Sequence, residues 1–588
     1  MLISLNPERN RILRMLVVCA GGLMSLCDFA EAQVTFENVT AASGLSFVQQ
    51  GPLGATKDVA QNASFGSGAA VADYDLDGDL DVYFVASLGR PNQLFRNNGD
   101  KTFTNVTDSA GVGHTGFGHI ALFTDLDNDG DPDLIVGNDT QGDPAMTPSK
   151  LFRNNGDGTF SDVTPGSGFS PQGNIVGGMS VSDIDGDGDL DVYVGMWTIY
   201  TIEGTHQSYL YENLGGFRFR DITSEAGLRT AATEVAHWSV VFCDLNNDGF
   251  QDLYAAVDFS PNYFFVNDGT GRFLDVSIGT GVRHVGNDMG VTIADADGDG
   301  LLDVYSTNYT VQPPDELAKT NVLYMYNGEA FTDEAISRGV WQTYWGWGTK
   351  WVDVDLDGDE DLYCVNGWDV DYYRDRPAQL FVNDGTGFFA ERAADYGADH
   401  VGDSRSLVAF DYDNDGDEDL LIVDVDGPAT LLENTTDHDH HWAAIELHGG
   451  PSNRDAIGTR IELTSGGRTQ IRELTLGESF YASQPLRKHF GLGSSDTIDE
   501  LIVRFPSGCV RSFASIQAGR LLTITENLYH DSDFDGDVDI GDFGDFQNCF
   551  TKLGGRATPR CRLHDADHDG DIDLADYASF QLTFTGPR

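Results

Sequence analysis

Positive charge is scarce in this chain: 35 Lys and Arg stand against 94 Asp and Glu in 588 residues, a formal net charge of −59. Affinity for nucleic-acid backbones and for anionic membrane surfaces comes from Lys and Arg, so the composition excludes both kinds of partner. Long apolar runs are missing too. The stretch Met15 to Leu26 is too short to span a bilayer, and no later run is long enough. Cysteine is rare, seven in all, and two of them, Cys19 and Cys27, fall near the N-terminus. This excludes a disulfide scaffold. Cys549 and Cys561 are close enough in sequence to bridge, while Cys243, Cys364 and Cys509 are scattered and read as small core residues. Catalytic signatures are absent as well: there is no G-x-S-x-G, no H-E-x-x-H and no P-loop. Gly111-Val-Gly-His-Thr-Gly116 matches G-x-G-x-x-G, but it follows a strand, opens no helix and reads as a loop. With so many acids, paired carboxylates suited to glycoside hydrolysis arise by chance and discriminate nothing.

What is present begins with an export signal. Arg9, Arg11 and Arg14 precede the apolar stretch, and Ala30-Glu31-Ala32 forms an A-x-A cleavage site before Gln33. Residues 1–32 thus predict a cleaved signal peptide and a secreted or cell-surface protein. Cys19 and Cys27 lack a lipoprotein-type context, which argues against a lipid anchor. The segment holds three acids and three bases, so the exported chain keeps the full −59. At 40% hydrophobic residues the remainder can bury a large core. So much negative charge in one folded body repels itself unless cations neutralise part of it.

The spacing of the acids is regular. Asp73-Tyr-Asp75-Leu-Asp77-Gly78-Asp-Leu-Asp81 recurs every 51 to 61 residues, seven times in all. Acidic or amide oxygens stand at positions 1, 3, 5 and 9, and Gly at position 6. The sets are Asp73, Asp75, Asp77, Asp81; Asp125, Asp127, Asp129, Asp133; Asp183, Asp185, Asp187, Asp191; and Asp244, Asn246, Asp248, Asp252. Then follow Asp295, Asp297, Asp299, Asp303; Asp353, Asp355, Asp357, Asp361; and Asp411, Asp413, Asp415, Asp419. These are loops 1 to 7 below. Each follows an apolar, small-residue run such as Phe65-Gly-Ser-Gly-Ala-Ala-Val-Ala72 and precedes a β-branched and aromatic one. Asn-Gly and Asp-Gly turns then separate further short strands, as in Gln93-Leu-Phe-Arg-Asn-Asn-Gly99 and Thr102-Phe-Thr-Asn-Val-Thr107. Four strands per repeat, seven times over, predict a mainly β fold: a seven-bladed β-propeller over residues 33–437, with an open solenoid as the alternative. The seventh repeat ends at Asn434 without its last strand, and Val34-Thr-Phe-Glu-Asn-Val-Thr40 supplies one ahead of the first, which would close the ring. A Tyr recurs ten residues after the first Asp (Tyr83, Tyr193, Tyr254, Tyr305, Tyr363), fitting packing between sheets.

A hard cation takes six to eight oxygens, and alternate residues of a tight loop point inward to provide them. Four carboxylates so close repel one another without a cation. One such loop also fits a solvated Asp/Gly hairpin; seven in register favour Ca²⁺, which accepts crowded carboxylates better than Mg²⁺ does. At extracellular-type affinity each ion would add on the order of 1 kcal/mol, a structural role.

The pairs Phe65-Gly66 and Phe117-Gly118, with D-x-D-x-D-G-x-x-D loops, resemble the FG-GAP/VCBS repeats of integrin α-subunit propellers and some fungal lectins. The resemblance implies Ca²⁺ at the loops and a ligand on a propeller face or between blades. Beyond the repeats, Asp437-His-Asp-His-His441 reads as an exposed linker more readily than as a metal cluster. Ser452-Asn-Arg-Asp-Ala-Ile-Gly-Thr459, Gly477-Glu-Ser-Phe480 and Leu486-Arg-Lys-His-Phe-Gly-Leu-Gly493 resemble the ASPIC/UnbV domain of cartilage acidic protein-like chains. This implies a small all-β domain over 438–526 without a recognised catalytic role. In the tail, 527–588, two further loops place an acid at position 12: Asp531, Asp533, Asp535, Asp542 and Asp565, Asp567, Asp569, Asp576. An apolar residue stands at position 8 of each (Val538, Ile572), and a short helix is predicted after each loop. The pair resembles a dockerin module, a small α-helical unit with two EF-hand-like Ca²⁺ sites, and implies a cohesin-like or cell-surface partner.

The resulting expectation is a secreted, non-catalytic calcium-binding propeller that binds an extracellular protein or glycan. A carbohydrate-active enzyme or accessory subunit, recruited through its tail, is the alternative, and a scaffold without small ligand the third. Tyr344-Trp-Gly-Trp-Gly-Thr-Lys-Trp351 fits blade packing more readily than a sugar-stacking platform.

Overall fold

The computed structural model describes residues 34–51, 64–140, 148–172, 175–197, 208–229, 236–309, 320–369, 373–436, 439–526, 530, 538, 540–550, 561, 564 and 572–583. Residues 1–32, where a signal peptide is expected, and Asp531, Asp533, Asp535, Asp565, Asp567 and Asp569 lie outside the described residues. Among the described residues no helix is long and apolar enough to cross a membrane.

The chain is mainly β and propeller-like. In the first repeat Ala69–Ala72, Asp81–Phe84, Gln93–Asn97 and Phe103–Asn105 form one antiparallel sheet in sequence order. Sheets 2 to 6 repeat this order, starting at Gly118–Thr124, Ile175–Ser182, Ala236–Cys243, Val291–Ala294 and Gly346–Val352. The fourth carries an extra strand, Val285–Asn287, on the extension of Asp252–Pro261. In the seventh, Ser404–Phe410, Asp419–Asp424 and Thr430–Asn434 are completed by Phe36–Asn38 from the N-terminus, paired antiparallel with Thr430–Asn434. That strand offsets the one missing from the seventh repeat.

Burial explains the composition of each strand. First and second strands are buried on both faces, so they read as continuous apolar runs rather than as an alternation. In every sheet but the sixth the outermost strand has one buried aromatic and two exposed residues, as in Phe103-Thr-Asn105. The recurring Tyr residues are fully buried and face the next sheet: Tyr83 meets Phe123, Tyr193 meets Phe242 and Tyr305 meets Trp351, all edge-on at 6.1–6.3 Å.

Residues 441–525 form a further module of two sheets. Arg468–Glu473, Arg460–Ser465, Thr497–Arg504 and Val510–Gln517 make one antiparallel sheet. Against it lies a three-stranded sheet with His441–His448 at its centre, antiparallel to Lys488–Gly493 and parallel to Arg520–Thr525. Ile445, Ile461, Leu463, Phe490, Leu501 and Val503 fill the space between them. In the tail, helices Ile540–Cys549 and Leu574–Thr583 meet through Phe546 and Phe580, and a disulfide joins Cys549 to Cys561. Cys243, Cys364 and Cys509 are buried free thiols.

Candidate metal centres and the module that covers them

Each acidic loop joins the first and second strand of its sheet, and all seven share one hydrogen-bond plan. The position-1 carboxylate accepts the N–H of position 6, as Asp73 does from Gly78 at 2.9 Å and Asp411 from Gly416 at 3.0 Å. The position-5 carboxylate accepts the N–H of position 7, as in Asp77 with Asp79 at 3.1 Å. Position 9 is the most buried, 0–1% exposed in every loop. One of its oxygens accepts a backbone N–H from the third strand: Asn97 to Asp81 at 2.7 Å, Asn213 to Asp191 at 2.8 Å, Tyr326 to Asp303 at 2.8 Å. In loops 1, 2, 3, 5, 6 and 7 the other oxygen accepts the N–H of position 2. This carboxylate therefore clamps the loop to the sheet.

The turn itself needs two left-handed residues. Gly at position 6 has φ between 90° and 100° throughout. Position 4 is left-handed as well, at Leu76, Asn128, Gly186, Asn247, Gly298, Leu356 and Asn414, with φ from 56° to 71°. Gly and Asn tolerate this conformation, but Leu does not, so Leu76 and Leu356 are strained. The 1, 3, 5, 9 spacing gave no sign of this fourth position; the Asn and Gly found there in five copies were the available signal.

The arrangement fits a cation. Carboxylate oxygens of Asp73, Asp75 and Asp81 lie within 4.8 Å of one another, as do those of Asp125, Asp127, Asp133 and of Asp183, Asp185, Asp191. In loops 5 and 6 the grouped residues are positions 1, 3 and 5: Asp295, Asp297, Asp299 and Asp353, Asp355, Asp357. Oδ1 of Asp75, Asp127 and Asp297, all at position 3, is buried without a hydrogen-bond partner. A buried carboxylate oxygen left so is costly, and a cation satisfies it. Burial pushes the Asp81 and Asp133 carboxyls up to about 9 and that of Asp252 to about 8. Asp125 rises to about 8 through burial and the nearby Asp455 carboxylate. A bound divalent ion would reverse these shifts by favouring the charged forms. In loops 4 and 7 the position-1 acids Asp244 and Asp411 keep the same bonds to positions 5 and 6. Asn246 and Asp248 of loop 4 both bond the loop backbone, and Asp413 of loop 7 pairs with Lys101.

The loops also tie sheet to sheet. The Asn ending the third strand donates through Nδ2 to the position-2 carbonyl of the preceding loop: Asn154 to Tyr74, Asn213 to Leu126, Asn267 to Ile184, Asn383 to Ala296 and Asn434 to Val354, at 2.8–3.1 Å. Asn97 of sheet 1 does the same to Tyr412 of loop 7.

A relationship invisible in the repeat pattern is that the module's segment 475–486 runs into the axis where the first strands converge. It touches the first strand of every sheet. Ser483 exchanges backbone bonds with Ala69 and Val71. Tyr481 stacks on His119 at 5.1 Å. Ser180 Oγ donates to the Leu476 carbonyl, and Ser239 Oγ to that of Ser479. The Ser479 N–H donates to the Val291 carbonyl and its Oγ accepts from Thr349. Gln484 brackets Leu407 and Ala409. Phe480 packs against Trp238 and Trp347 at 5.3 and 4.8 Å. A Cβ on Gly68 would collide with the Tyr481 carbonyl, which explains a glycine there. Lys350 and Glu478 form a buried ion pair at 3.0 Å beside this segment.

The aromatic motif divides by position. Trp351 packs between sheets against Tyr305, and buried Trp347 packs against Phe480 of segment 475–486. Half-buried Trp345 stacks with Trp368 at 5.0 Å and with Tyr309 at 4.7 Å, at the end of the first strands away from the acidic loops. The His440 ring lies 2.7 Å from the Asp355 carbonyl, so this part of the His-rich junction is tied to loop 6. In the tail Asp542, Asp576, Val538 and Ile572 are buried.

Mainly β, with repeated acidic loops and an axial segment from a second module, the chain defines a propeller-like repeat protein. Residues 73–136, 125–194, 244–306 and 353–422 match the FG-GAP-like repeat family, and all seven loops fall within these segments. Residues 449–528 match the family described as ASPIC and UnbV. The chain therefore carries FG-GAP-like repeats and an ASPIC/UnbV segment. It is 29% identical over 166 residues to cartilage acidic protein 1 of Homo sapiens and of Mus musculus, covering 27% of this chain and 24% of each relative. The same protein of Xenopus tropicalis is 28% identical over an equal span. The chain thus matches about a quarter of the length of these curated relatives. A solved structure, the BP39L lectin from Burkholderia pseudomallei, is similar with a TM-score of 0.42 and 10% identity, over 63% of this chain and 96% of that one.

Proposed function

We propose that this is a secreted calcium-binding protein whose seven sheets are the blades of a closed propeller, and that it binds an extracellular ligand without transforming it. The observation that carries the reading is the buried, unpartnered position-3 oxygen of Asp75, Asp127 and Asp297, each beside other carboxylates of its loop. One Ca²⁺ per loop, about seven in all, would be held by positions 1, 3, 5 and 9. The position-1 and position-9 carboxylates are engaged by backbone N–H groups, which suits a structural ion better than acid–base chemistry. Ring closure is supported by the Asn97–Tyr412 bond and the N-terminal strand in sheet 7. Secretion rests on the signal sequence over 1–32. In the tail, burial of Val538, Ile572, Asp542 and Asp576 supports the dockerin-like reading with two more Ca²⁺ sites and a cohesin-like or cell-surface partner.

The ligand class is an extracellular protein or glycan. Because the module contacts the acidic loops, this reading assigns the ligand surface to the other end of the first strands, where Trp345 and Trp368 stack. A glycan array probed with Ca²⁺ and with chelator, with product release assayed on any glycan bound, tests the reading. Calcium-dependent binding without turnover supports it. Turnover moves the assignment to a carbohydrate-active enzyme, and a blank array with folded protein leaves protein ligands.

A further inference from the structure

The acidic loops have two sides. Inward, the carboxylates of positions 1, 3, 5 and 9 converge. Outward stand the position-4 residue and the position-6 carbonyl, presented by the two left-handed residues. The module makes one set of its polar contacts with this outer side, besides those of Asp455 and Glu473 to the position-1 N–H of Asp125 and Asp244 and of Arg468 and Arg472 to Asp359 and Glu360. The Arg454 N–H donates to Asn128 Oδ1 at 2.9 Å. The Arg460 guanidinium donates to Asn247 Oδ1 at 2.6 Å and to the Gly300 carbonyl at 2.8 Å. Arg487 donates to Asn414 Oδ1 and to the Gly78 carbonyl, both at 3.2 Å. The Gly493 N–H donates to the Leu356 carbonyl at 2.7 Å. Loops 1, 2, 4, 5, 6 and 7 are thus all held by position 4 or position 6.

We propose that the loops are a two-sided device: the cation bound inside each loop holds its left-handed apex, and that apex is the docking surface for the module and its axial segment 475–486. The proposal rests on the reading of the loops as Ca²⁺ sites. Removing the ion leaves grouped carboxylates to repel one another, and the strain at Leu76 and Leu356 favours unwinding of the turn. The Asn Oδ1 atoms and Gly carbonyls then leave hydrogen-bond reach of Arg460 and Arg487, and the module loses its seat. Because linkage is reciprocal, unseating the module must weaken Ca²⁺ binding by the same factor that Ca²⁺ strengthens docking. The ASPIC/UnbV segment is on this account the part of the chain that senses loop occupancy and opens or closes the axis.

The experiment uses the full chain. Hydrogen exchange of 475–486 is followed with Ca²⁺ and with chelator, and Ca²⁺ affinity is titrated calorimetrically in the parent and in Arg460→Ala/Arg487→Ala. Chelation is expected to raise exchange in 475–486 about tenfold or more before the second strands lose protection. The double variant is expected to bind Ca²⁺ about fivefold more weakly, the lower end of ordinary coupling. Asn247→Gly, which removes the acceptor of Arg460 but keeps the left-handed turn, repeats the titration if the double variant does not fold; weaker Ca²⁺ binding is again expected, and parent affinity overturns the linkage. Ca²⁺ binding with unchanged exchange in 475–486, or parent affinity in a variant whose segment is unseated, also overturns the linkage and leaves the Ca²⁺ reading intact. Absence of any Ca²⁺ binding overturns both.

Discussion

Asn97 and Tyr412 stand 315 positions apart and are joined by a hydrogen bond of 2.7 Å from Nδ2 to the main-chain carbonyl. The bond ties sheet 1 to loop 7, repeating between the first and last repeats the contact that Asn154, Asn213, Asn267, Asn383 and Asn434 make between consecutive ones. Asn97→Ala leaves the Tyr412 carbonyl buried and unsatisfied, at a cost of about 1–3 kcal/mol. A lowered melting temperature in calorimetry is expected; an unchanged one would show that the joint between the first and last repeats carries no stability.

Leu76 and Leu356 share a left-handed backbone but differ in surroundings: Leu76 is 56% exposed and Leu356 is fully buried under the module. Leu76→Asn relieves strain without losing buried surface and should stabilise by up to about 1 kcal/mol. Leu356→Asn buries an amide in place of an apolar side chain and should destabilise by about 2 kcal/mol or more. Denaturant titration of the two variants checks this, and destabilisation of both would mean that strain does not govern position 4.

The pH dependence should change sign with the ion. Burial pushes Asp81 and Asp133 up to about 9 and Asp252 to about 8, from roughly 3.9 in an unfolded chain. Over that interval the folded chelated protein binds more protons than the unfolded one. Its stability from these groups is thus full below about pH 4 and is lost as pH rises toward 9. Ca²⁺ needs the same carboxyls deprotonated, so its stabilisation grows with pH. The gap between calcium and chelator melting temperatures should be wider at pH 8 than at pH 5.5. A constant gap would detach position 9 from the ion.

Thiol counting tests the tail. Denatured without reductant, the chain from Gln33 should react at three cysteines, Cys243, Cys364 and Cys509, and at five after reduction. Five before reduction would mean that Cys549 and Cys561 do not pair.

The strand order of each repeat and the position of each acidic loop were legible beforehand, because they follow from local spacing, and the borrowing of Phe36–Asn38 by the last sheet was legible from the strand missing there and present ahead of the first repeat. Positions 1, 3, 5 and 9 were legible as a set, but their division of labour was not. Position 9 clamps the sheet through N–H groups from a strand some 15–23 residues away, and that depends on register rather than on spacing. Position 4 escaped notice because Leu and Asn share no chemistry there, only a backbone angle. In the Trp-rich motif, Trp345, Trp347 and Trp351 have the same residue type and different fates, decided by which layer each reaches.

By itself the sequence determined the period, the β character and the acidic loops, since turns, alternation and the spacing of the acids are written within a few residues of one another. The tertiary structure alone decided that Gly477 to Gln484, with no repeat of its own, lies on the axis and touches the first strand of every sheet. It also decided that Arg460 and Arg487 meet loop apices more than 70 residues away. Such contacts depend on where converging sheets leave room and unpaired backbone groups, and no local pattern encodes that space.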